Sequence, residues 1–186
     1  MSKPSLPVLT GKSVTLRPPK SGDAVARYRL GRNLEIFRMY GGSRSDFSPM
    51  TMVGAERWLQ GIADHDHAWI IETDRLIGHI RLDRVDLSDR RATLAMGIDD
   101  PESLGKGFGS EAIVLVQAYA FNMLNLHRLS LRVVAYNLRA IRAYEKCGFV
   151  MEGREREAAF VDGEWHDDVM MGMLAQEYLV LHPRLS

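Results

Sequence analysis

Three glycines alternate in the stretch Ser103-Leu-Gly-Lys-Gly-Phe-Gly-Ser-Glu-Ala112, which runs directly into the apolar segment Ile113-Val-Leu-Val116. Glycine adopts positive φ without steric cost, so this pattern predicts a sharp turn from a loop into a buried helix. The first turn of a helix carries backbone N–H groups without intrahelical partners and attracts anions. Lys106 adds a positive charge inside the loop. The stretch therefore predicts a phosphate-binding loop, and a glycine loop without a ligand is the alternative.

Two nucleotide-binding fingerprints do not fit this chain. A dinucleotide-binding loop needs Gly-x-Gly-x-x-Gly, whereas Gly105, Gly107 and Gly109 follow the spacing Gly-x-Gly-x-Gly. A Walker A loop ending at Gly11-Lys12-Ser13 would need a glycine at the position of Leu6. The glycine loop therefore needs another interpretation.

The hydrophobic pattern around the loop predicts a mixed α+β fold, in which helices flank a central sheet of about seven strands. Short alternating or β-branched segments predict strands over residues 13–17, 68–71, 76–85, 92–98, 129–134, 149–160 and 165–174. Helical spacing predicts helices over 23–39, broken near Gly31 and Asn33, and over 52–63, 107–124 and 138–146, with a further turn from Ala175. Asp162-Gly163 suits a tight turn between the last two strands. Because there is no internal repeat or linker, we expect one domain over residues 1–186.

Composition and charge argue against several classes of function. The 24 Lys and Arg residues balance 24 Asp and Glu residues, so the whole chain has no long-range attraction for nucleic acid or an anionic membrane. No apolar segment approaches the roughly 20 residues that cross a bilayer, and the N-terminal residues lack the apolar core of a signal peptide. We therefore expect a cytoplasmic protein without nucleic-acid or membrane partners.

Cysteine and histidine give little support for metal chemistry. Cys147 is the only cysteine, so an intrachain disulfide and a multi-cysteine zinc site are excluded. His65-Asp66-His67 places candidate ligands side by side, but the sequence offers no further partner for them. His166-Asp167-Asp168 lies in the predicted last hairpin, where a solvated turn is the favoured interpretation. We expect no metal site.

The glycine loop resembles the pyrophosphate-binding loop of the GCN5-related N-acetyltransferase (GNAT) family. The family pattern is Arg or Gln, two residues, Gly, one residue, then Gly or Ala. Gly107 and Gly109 match its last two positions, whereas Leu104 stands where Arg or Gln is usual. Together with the pair Glu111-Ala112, the loop is most similar to the branch of ribosomal-protein N-terminal acetyltransferases.

A second segment, residues 137–149, resembles the other acyl-CoA segment of the family. It has Asn137 after a predicted strand, a short helix with Ala140 and Tyr144, and Gly148-Phe149 at the start of the next strand. By themselves, Asn137 and Tyr144 would equally suit a helix cap and a packed aromatic residue. Further similarities at residues 16–23, 76–80 and 162–169 extend the resemblance over about residues 9–178, in the family's order.

The resemblance implies a GNAT fold, with a mostly antiparallel sheet that splays between its fourth and fifth strands after a β-bulge. It implies acetyl-CoA as co-substrate and direct transfer of the acetyl group to a primary amine in a ternary complex. The loop amides would hold the pyrophosphate and the fourth strand would pair with the pantetheine, while Arg139 or Arg142 would reach the phosphates. The expected cofactor-binding residues are Met96, Gly97, Ile98, Leu104, Gly105, Lys106, Gly107, Phe108, Gly109, Ser110, Asn137, Arg139, Ala140 and Tyr144.

Tyr144 and His79 are the expected catalytic residues. By the resemblance, the hydroxyl of Tyr144 would protonate the departing thiolate of coenzyme A. The fourth strand, residues 92–98, has no carboxylate or imidazole to act as the general base, so His79 on the neighbouring strand is the candidate. A histidine bonded to neighbouring backbone is the alternative for His79.

The acceptor amine is open at this point. Protein N-termini, amino acids, polyamines and aminoglycoside-like compounds serve as acceptors in relatives of this kind. A local acidic groove for a cationic acceptor could come from Asp99, Asp100, Glu102 or Glu35. A homodimer is possible. Two other functions stay open: an acyl-CoA-binding module with impaired catalysis, supported by Leu104 and the missing strand carboxylate, and a nucleotide-binding regulator.

Overall fold

Eight strands form the central sheet of this computed structural model, which describes residues 6–183. They are β1 (Leu9–Thr10), β2 (Thr15–Arg17), β3 (Ala68–Glu72), β4 (Leu76–Asp86), β5 (Arg91–Ile98), β6 (Arg128–Val134), β7 (Val150–Val161) and β8 (Glu164–Leu174). Their order across the sheet is β1-β2-β3-β4-β5-β6-β8-β7. Neighbouring strands are antiparallel, except that β5 and β6 are parallel. The predicted α+β fold with a mostly antiparallel sheet is confirmed, and the short β1 adds one strand to the predicted seven.

Six helices flank the sheet: α1 (Asp23–Leu30), α2 (Leu34–Met39), α3 (Met52–Asp64), α4 (Phe108–Ala118), α5 (Leu138–Lys146) and α6 (Ala175–Leu181). Gly31, at φ 72°, ends α1, and the side chain of Asn33 then accepts the Ile36 N–H at 3.1 Å to begin α2. The predicted helix over 107–124 is α-helical only to Ala118 and ends in a wider π-helical turn, Tyr119–Met123. No helix in the described part of the chain is long and apolar enough to cross a membrane.

The two faces of the sheet differ in character because alternate residues of a strand point to opposite sides. The core face packs against α4 and carries Ile80, Leu82, Leu94, Leu129, Leu131, Val169 and Met171, together with Ala112, Ile113 and Val116 of the helix. The opposite face, here called the groove face, carries polar side chains at paired positions of β4, β6 and β8, among them His79, Arg81, Asp83, Arg132 and Asp168. A second apolar cluster, Ile62, Ala68, Ile70 and Leu76, lies beneath α1 and α3.

The sheet opens between β5 and β6. Their pairing runs from Arg91 opposite Arg128 to Thr93 opposite Ser130 and ends there. The β4–β5 register shifts beside this point, where Arg84 on β4 adopts φ 50°. The expected bulge is therefore present, but it lies in β4 and not in the splayed strand. Because β5 leaves β6 after Thr93, its remaining residues border an open cleft.

Candidate active site

A groove with a volume of about 1060 Å³ lies where β5 and β6 separate. The two strands contribute Thr93 to Gly97 and Arg132 to Val134 to its floor. The walls come from the N-terminal helices, the start of α5 and the last hairpin. They include Arg27, Ile36, Tyr40, Trp58, Asn137, Ala140, Tyr144, Phe160 and Asp168.

The glycine loop lies directly behind β5, on the core face. Gly105 and Gly107 adopt φ 75° and 87°, a left-handed conformation that L side chains rarely adopt, and α4 begins at the next residue, Phe108. The first intrahelical bond runs from the N–H of Glu111 to the carbonyl of Gly107 at 3.0 Å. The amides of residues 108–110 therefore precede the helical ladder and are oriented as donors toward an anion. A Cβ at Gly109 would lie 3.3 Å from Cε of Met96, so the helix start contacts the splayed strand.

Glu111 anchors this helix to the first hairpin. Its Oε1 accepts the backbone N–H of Ser13 at 2.7 Å, and a Cβ at Gly11 would lie only 2.3 Å from the same oxygen. The Glu-Ala pair singled out in the sequence therefore has a structural function. Glu111 fixes the start of α4, while Ala112 is fully buried beneath it.

Asn137 and Tyr144 lie on α5, at the open side of the cleft. Oδ1 of Asn137 accepts the N–H of Ala140 at 3.2 Å as the helix cap, and its Nδ2 donates to the carbonyl of Met39 at 3.0 Å. Tyr144 lines the groove with 8% of its surface exposed. Burial raises the pKa of Tyr144 to about 12, so the phenol keeps its proton at neutral pH.

Tyr40, which the sequence did not single out, lines the same groove as Tyr144. Its hydroxyl lies 3.5 Å from the carbonyl oxygen of Ile98, and a Cβ at Gly97 would approach that hydroxyl to 2.9 Å. Half of the residue is exposed, yet burial raises the pKa of Tyr40, and the negative charge of Asp99 raises it further.

His79 lies opposite Gly97 in the β4–β5 pairing. Its Nδ1 is 3.5 Å from Oδ2 of Asp99, and its Nε2 is 3.5 Å from Nη1 of Arg81. Asp99 also forms an ion pair with Arg27 at 3.3 Å. The ring of Trp58 packs edge-to-face against the imidazole of His79, with ring centroids 5.7 Å apart. Since Arg81 can only donate, its contact makes Nε2 the acceptor nitrogen and leaves the Nδ1 proton for Asp99.

Asp168 is buried at the opposite side of the groove, which corrects the expectation of a solvated turn. It lies within β8, opposite Val134 of β6, with 4% of its surface exposed. Burial raises the pKa of Asp168, although Arg132 at 3.2 Å acts in the other direction. The tight turn itself lies at Asp162-Gly163, both with positive φ, as predicted.

Six of the predicted site residues line the groove: His79, Met96, Gly97, Asn137, Ala140 and Tyr144. The others, Leu104 to Ser110, Ile98 and Arg139, lie outside its lining. Of the four carboxylates considered for an acidic groove, only Asp99 lines it. Asp100 and Glu102 bind Arg75 at 2.9 and 2.8 Å, and Glu35 is an exposed residue of α2, so these three lie outside the groove lining.

The described residues, 6–183, contain no group of three or more His, Cys, Asp or Glu side chains arranged to hold a metal ion. His65 binds Asp83 at 2.9 Å, and His67 contacts the hydroxyl of Tyr119 at 3.0 Å. Cys147 is buried, and burial raises the pKa of its thiol, which disfavours a nucleophilic thiolate.

A family model described as "Acetyltransferase (GNAT) domain" matches residues 13–150, and the chain therefore belongs to the GNAT family. Spermidine N(1)-acetyltransferase of Vibrio cholerae serotype O1 is 37% identical over 120 residues, covering 62% of this chain and 69% of that protein. The Escherichia coli K12 protein of the same name is 28% identical over 172 residues, covering 91% and 90%. The crystal structure of spermidine N-acetyltransferase from Vibrio cholerae in complex with CoA and spermine has a TM-score of 0.75 and 29% identity, covering 91% of this chain and 99% of that chain.

These similarities define the general activity. The protein is an acetyl-CoA-dependent N-acetyltransferase, which transfers an acetyl group to an amine.

Proposed function

We propose that this enzyme acetylates a small cationic amine by direct attack on acetyl-CoA in a ternary complex. The observation that carries the proposal is the open cleft between β5 and β6, because its lining includes Tyr144, His79 and Met96, and Met96 lies next to Gly109 at the start of α4. The whole chain, residues 1–186, would act as one domain. A cytoplasmic location and a homodimer stay predictions.

Acetyl-CoA would enter through this cleft. Backbone amides of residues 105–110 would bind the pyrophosphate, with Lys106 exposed beside them. The pantetheine would then add to the free edge of β5 beyond Thr93 as an extra strand, with Met96, Gly97 and Ile98 at its acyl end. Asn137 would contribute to the cofactor site as the cap that fixes α5, since both ends of its side chain are already bonded.

The chemical step needs one base and one acid. The attacking nitrogen would displace the 3.5 Å contact of Arg81 with Nε2 of His79, form a bond to the thioester carbon and transfer a proton to that Nε2, while a β5 backbone amide stabilises the oxyanion. The carbon–sulfur bond then breaks, and the hydroxyl of Tyr144 gives its proton to the departing thiolate. Burial raises the pKa of Tyr144 to about 12, so the hydroxyl keeps its proton at neutral pH and can donate it as negative charge develops on the sulfur.

The acceptor is proposed from the relatives and from the charges in the groove. The two curated relatives are named spermidine N(1)-acetyltransferases, and the Vibrio cholerae structure contains spermine. Carboxylates of Asp83, Asp99 and Asp168 line the groove, although five arginines line it as well. A protein N-terminal amine, as in the ribosomal-protein branch, is the alternative acceptor.

The test is thiol release from acetyl-CoA with a panel of acceptors: spermidine, spermine, putrescine, butylamine, free amino acids and peptides with N-terminal Ala or Ser. We expect turnover with the small cationic amines and little with the peptides. Tight acetyl-CoA binding without turnover of any amine would contradict the proposal and favour the binding module. Preferred turnover of the peptides would replace the small amine by a protein N-terminus.

A further inference from the structure

Four residues of the groove face stand in one row across the sheet. His79 is directly opposite Gly97, and Val134 is directly opposite Asp168. The parallel pairing of Thr93 with Ser130 places Gly97 and Val134 at equal distances along β5 and β6 from that pair. The row therefore runs from His79 through Gly97 and Val134 to Asp168, and it crosses the open cleft.

Asp168 is an incompletely satisfied buried carboxylate at the end of this row. Its side chain is 6% exposed and lines the groove. Within residues 6–183, its Oδ1 has no hydrogen-bond partner, while Oδ2 receives Nη1 of Arg132 at 3.2 Å. Burying a carboxylate oxygen without a partner is costly, so such an atom in a groove indicates a missing cationic or donor group.

Arg132 is a weak permanent partner for this carboxylate. Its side chain is 66% exposed, and one nitrogen contacts one oxygen, whereas a well-formed pair would join two nitrogens to both oxygens. An exposed arginine gains little from such a contact, so a substrate cation can displace it at small cost.

We propose that Asp168 binds a second ammonium group of the acceptor while the reacting amine lies at Gly97 and His79. This inference rests on the proposed function and adds a requirement on the distance between the two amino groups of the acceptor. Gly97 and Asp168 are two strands apart along the row, so at normal strand spacing they would be separated by about 10 Å. The splay between β5 and β6 makes the separation larger. Long diamines and polyamines can span that distance, and short diamines cannot.

The experiment compares Asp168→Asn with the wild-type enzyme on butylamine, putrescine and α,ω-diaminodecane, at saturating acetyl-CoA. For the wild type, KM should be lowest with α,ω-diaminodecane. In Asp168→Asn, KM for this long diamine should rise about tenfold or more, the usual effect of losing a hydrogen bond to a charged group, with butylamine unchanged. Glu164→Gln is the matched control, because Glu164 is an exposed carboxylate on the same strand, β8, and lies outside the groove lining.

Arg132→Gln gives an independent measurement, since it leaves Asp168 in place and removes the competing cation. The KM for the long diamine should then fall. Equal changes of KM for butylamine and α,ω-diaminodecane in Asp168→Asn would overturn the inference while leaving acetyl transfer intact. An unchanged KM for α,ω-diaminodecane in Asp168→Asn would also overturn the inference. Absence of turnover for every amine in the wild type would defeat the proposed function itself.

Discussion

Nδ1 of His79, on β4, lies 3.5 Å from Oδ2 of Asp99, the residue that follows β5. Within residues 6–183, both atoms are buried without a full hydrogen bond. Asp99 is itself held by Arg27, at 3.3 Å. The carboxylate therefore lies beside Nδ1 and leaves Nε2 for the weak 3.5 Å contact with Arg81, an arrangement in which a nearby carboxylate stabilises the protonated imidazole.

This pair predicts how the chemical step responds to substitution. In His79→Gln, kcat should fall about 100-fold, a typical contribution of a general base. Asp99→Asn should lower kcat about tenfold, since it acts through His79. His127→Gln, at an exposed histidine, is the control. An unchanged kcat in His79→Gln would remove His79 from the mechanism.

Two tyrosines in the groove have raised pKa values, and a pair of variants separates their functions. Tyr144→Phe should lower kcat by about 100-fold with little change in the acetyl-CoA KM, because it removes the proposed proton donor. Tyr40→Phe removes a hydroxyl whose contact is the Ile98 carbonyl at 3.5 Å, so we expect a smaller loss of kcat. Steady-state kinetics with spermidine would measure both. The reverse order of effects would make Tyr40 the acid.

A buried ion pair outside the groove predicts how stability depends on pH. Arg17 donates to both oxygens of Asp23 at 2.8 Å, and the Lys20 amide adds a bond of 2.7 Å. Burial alone would raise the pKa of Asp23, but these donors outweigh it and the net pKa is lowered. A lowered folded-state pKa stabilises the fold above the pKa of the unfolded chain, about 4, and this contribution is lost as pH falls through the folded-state value.

Asp23→Asn should therefore cost about 3 kcal/mol in the free energy of unfolding at pH 7, and less at low pH. Asp89→Asn is the control, because Asp89 pairs with Arg91 at the surface and should contribute under about 1 kcal/mol. Urea unfolding at several pH values measures both. A constant cost of Asp23→Asn down to pH values well below 4 would contradict the assigned cause.

Local features of this chain were predictable because neighbouring residues determine them. The bounds of α5 follow from a cap at Asn137 and a positive-φ glycine at Gly148, and the hairpin turn follows from Asp162-Gly163. The change from α4 to a π-helical turn after Ala118 was not predicted, because the apolar run continues through that turn, where Tyr119, Ala120 and Phe121 are buried.

The residues that line the groove could not be predicted from local sequence patterns, because they are brought together by contacts between segments far apart in the chain. Asp168 is buried because the β6–β8 register places it opposite Val134, whereas its polar neighbours in sequence suggested a solvated turn. Tyr40 meets Gly97 only after α2 packs beside the sheet. Asp99 and Asp100 are adjacent in the chain, directly after β5 ends at Ile98, yet one lines the groove and the other binds Arg75.

The loop conformation at the start of α4 leads to the last prediction. Gly107 has φ 87°, and a Cβ there would meet no atom within 4 Å, so Gly107→Ala introduces backbone strain without a clash. Gly163 has φ 89° and equally open surroundings, but it lies in the β7–β8 turn. Each alanine variant should lose about 1 to 2 kcal/mol of stability, the cost of a left-handed L residue.

The two variants should differ in their effect on the cofactor. Gly107→Ala should raise the acetyl-CoA KM about tenfold, because relief of the strain turns the amides of residues 108–110 away from the pyrophosphate. Gly163→Ala should leave that KM unchanged, since Gly163 lies in the β7–β8 turn and not in the loop that begins α4. Calorimetric titration with CoA would show whether the change is in binding. Equal CoA affinity in the two variants would exclude this loop as the pyrophosphate site.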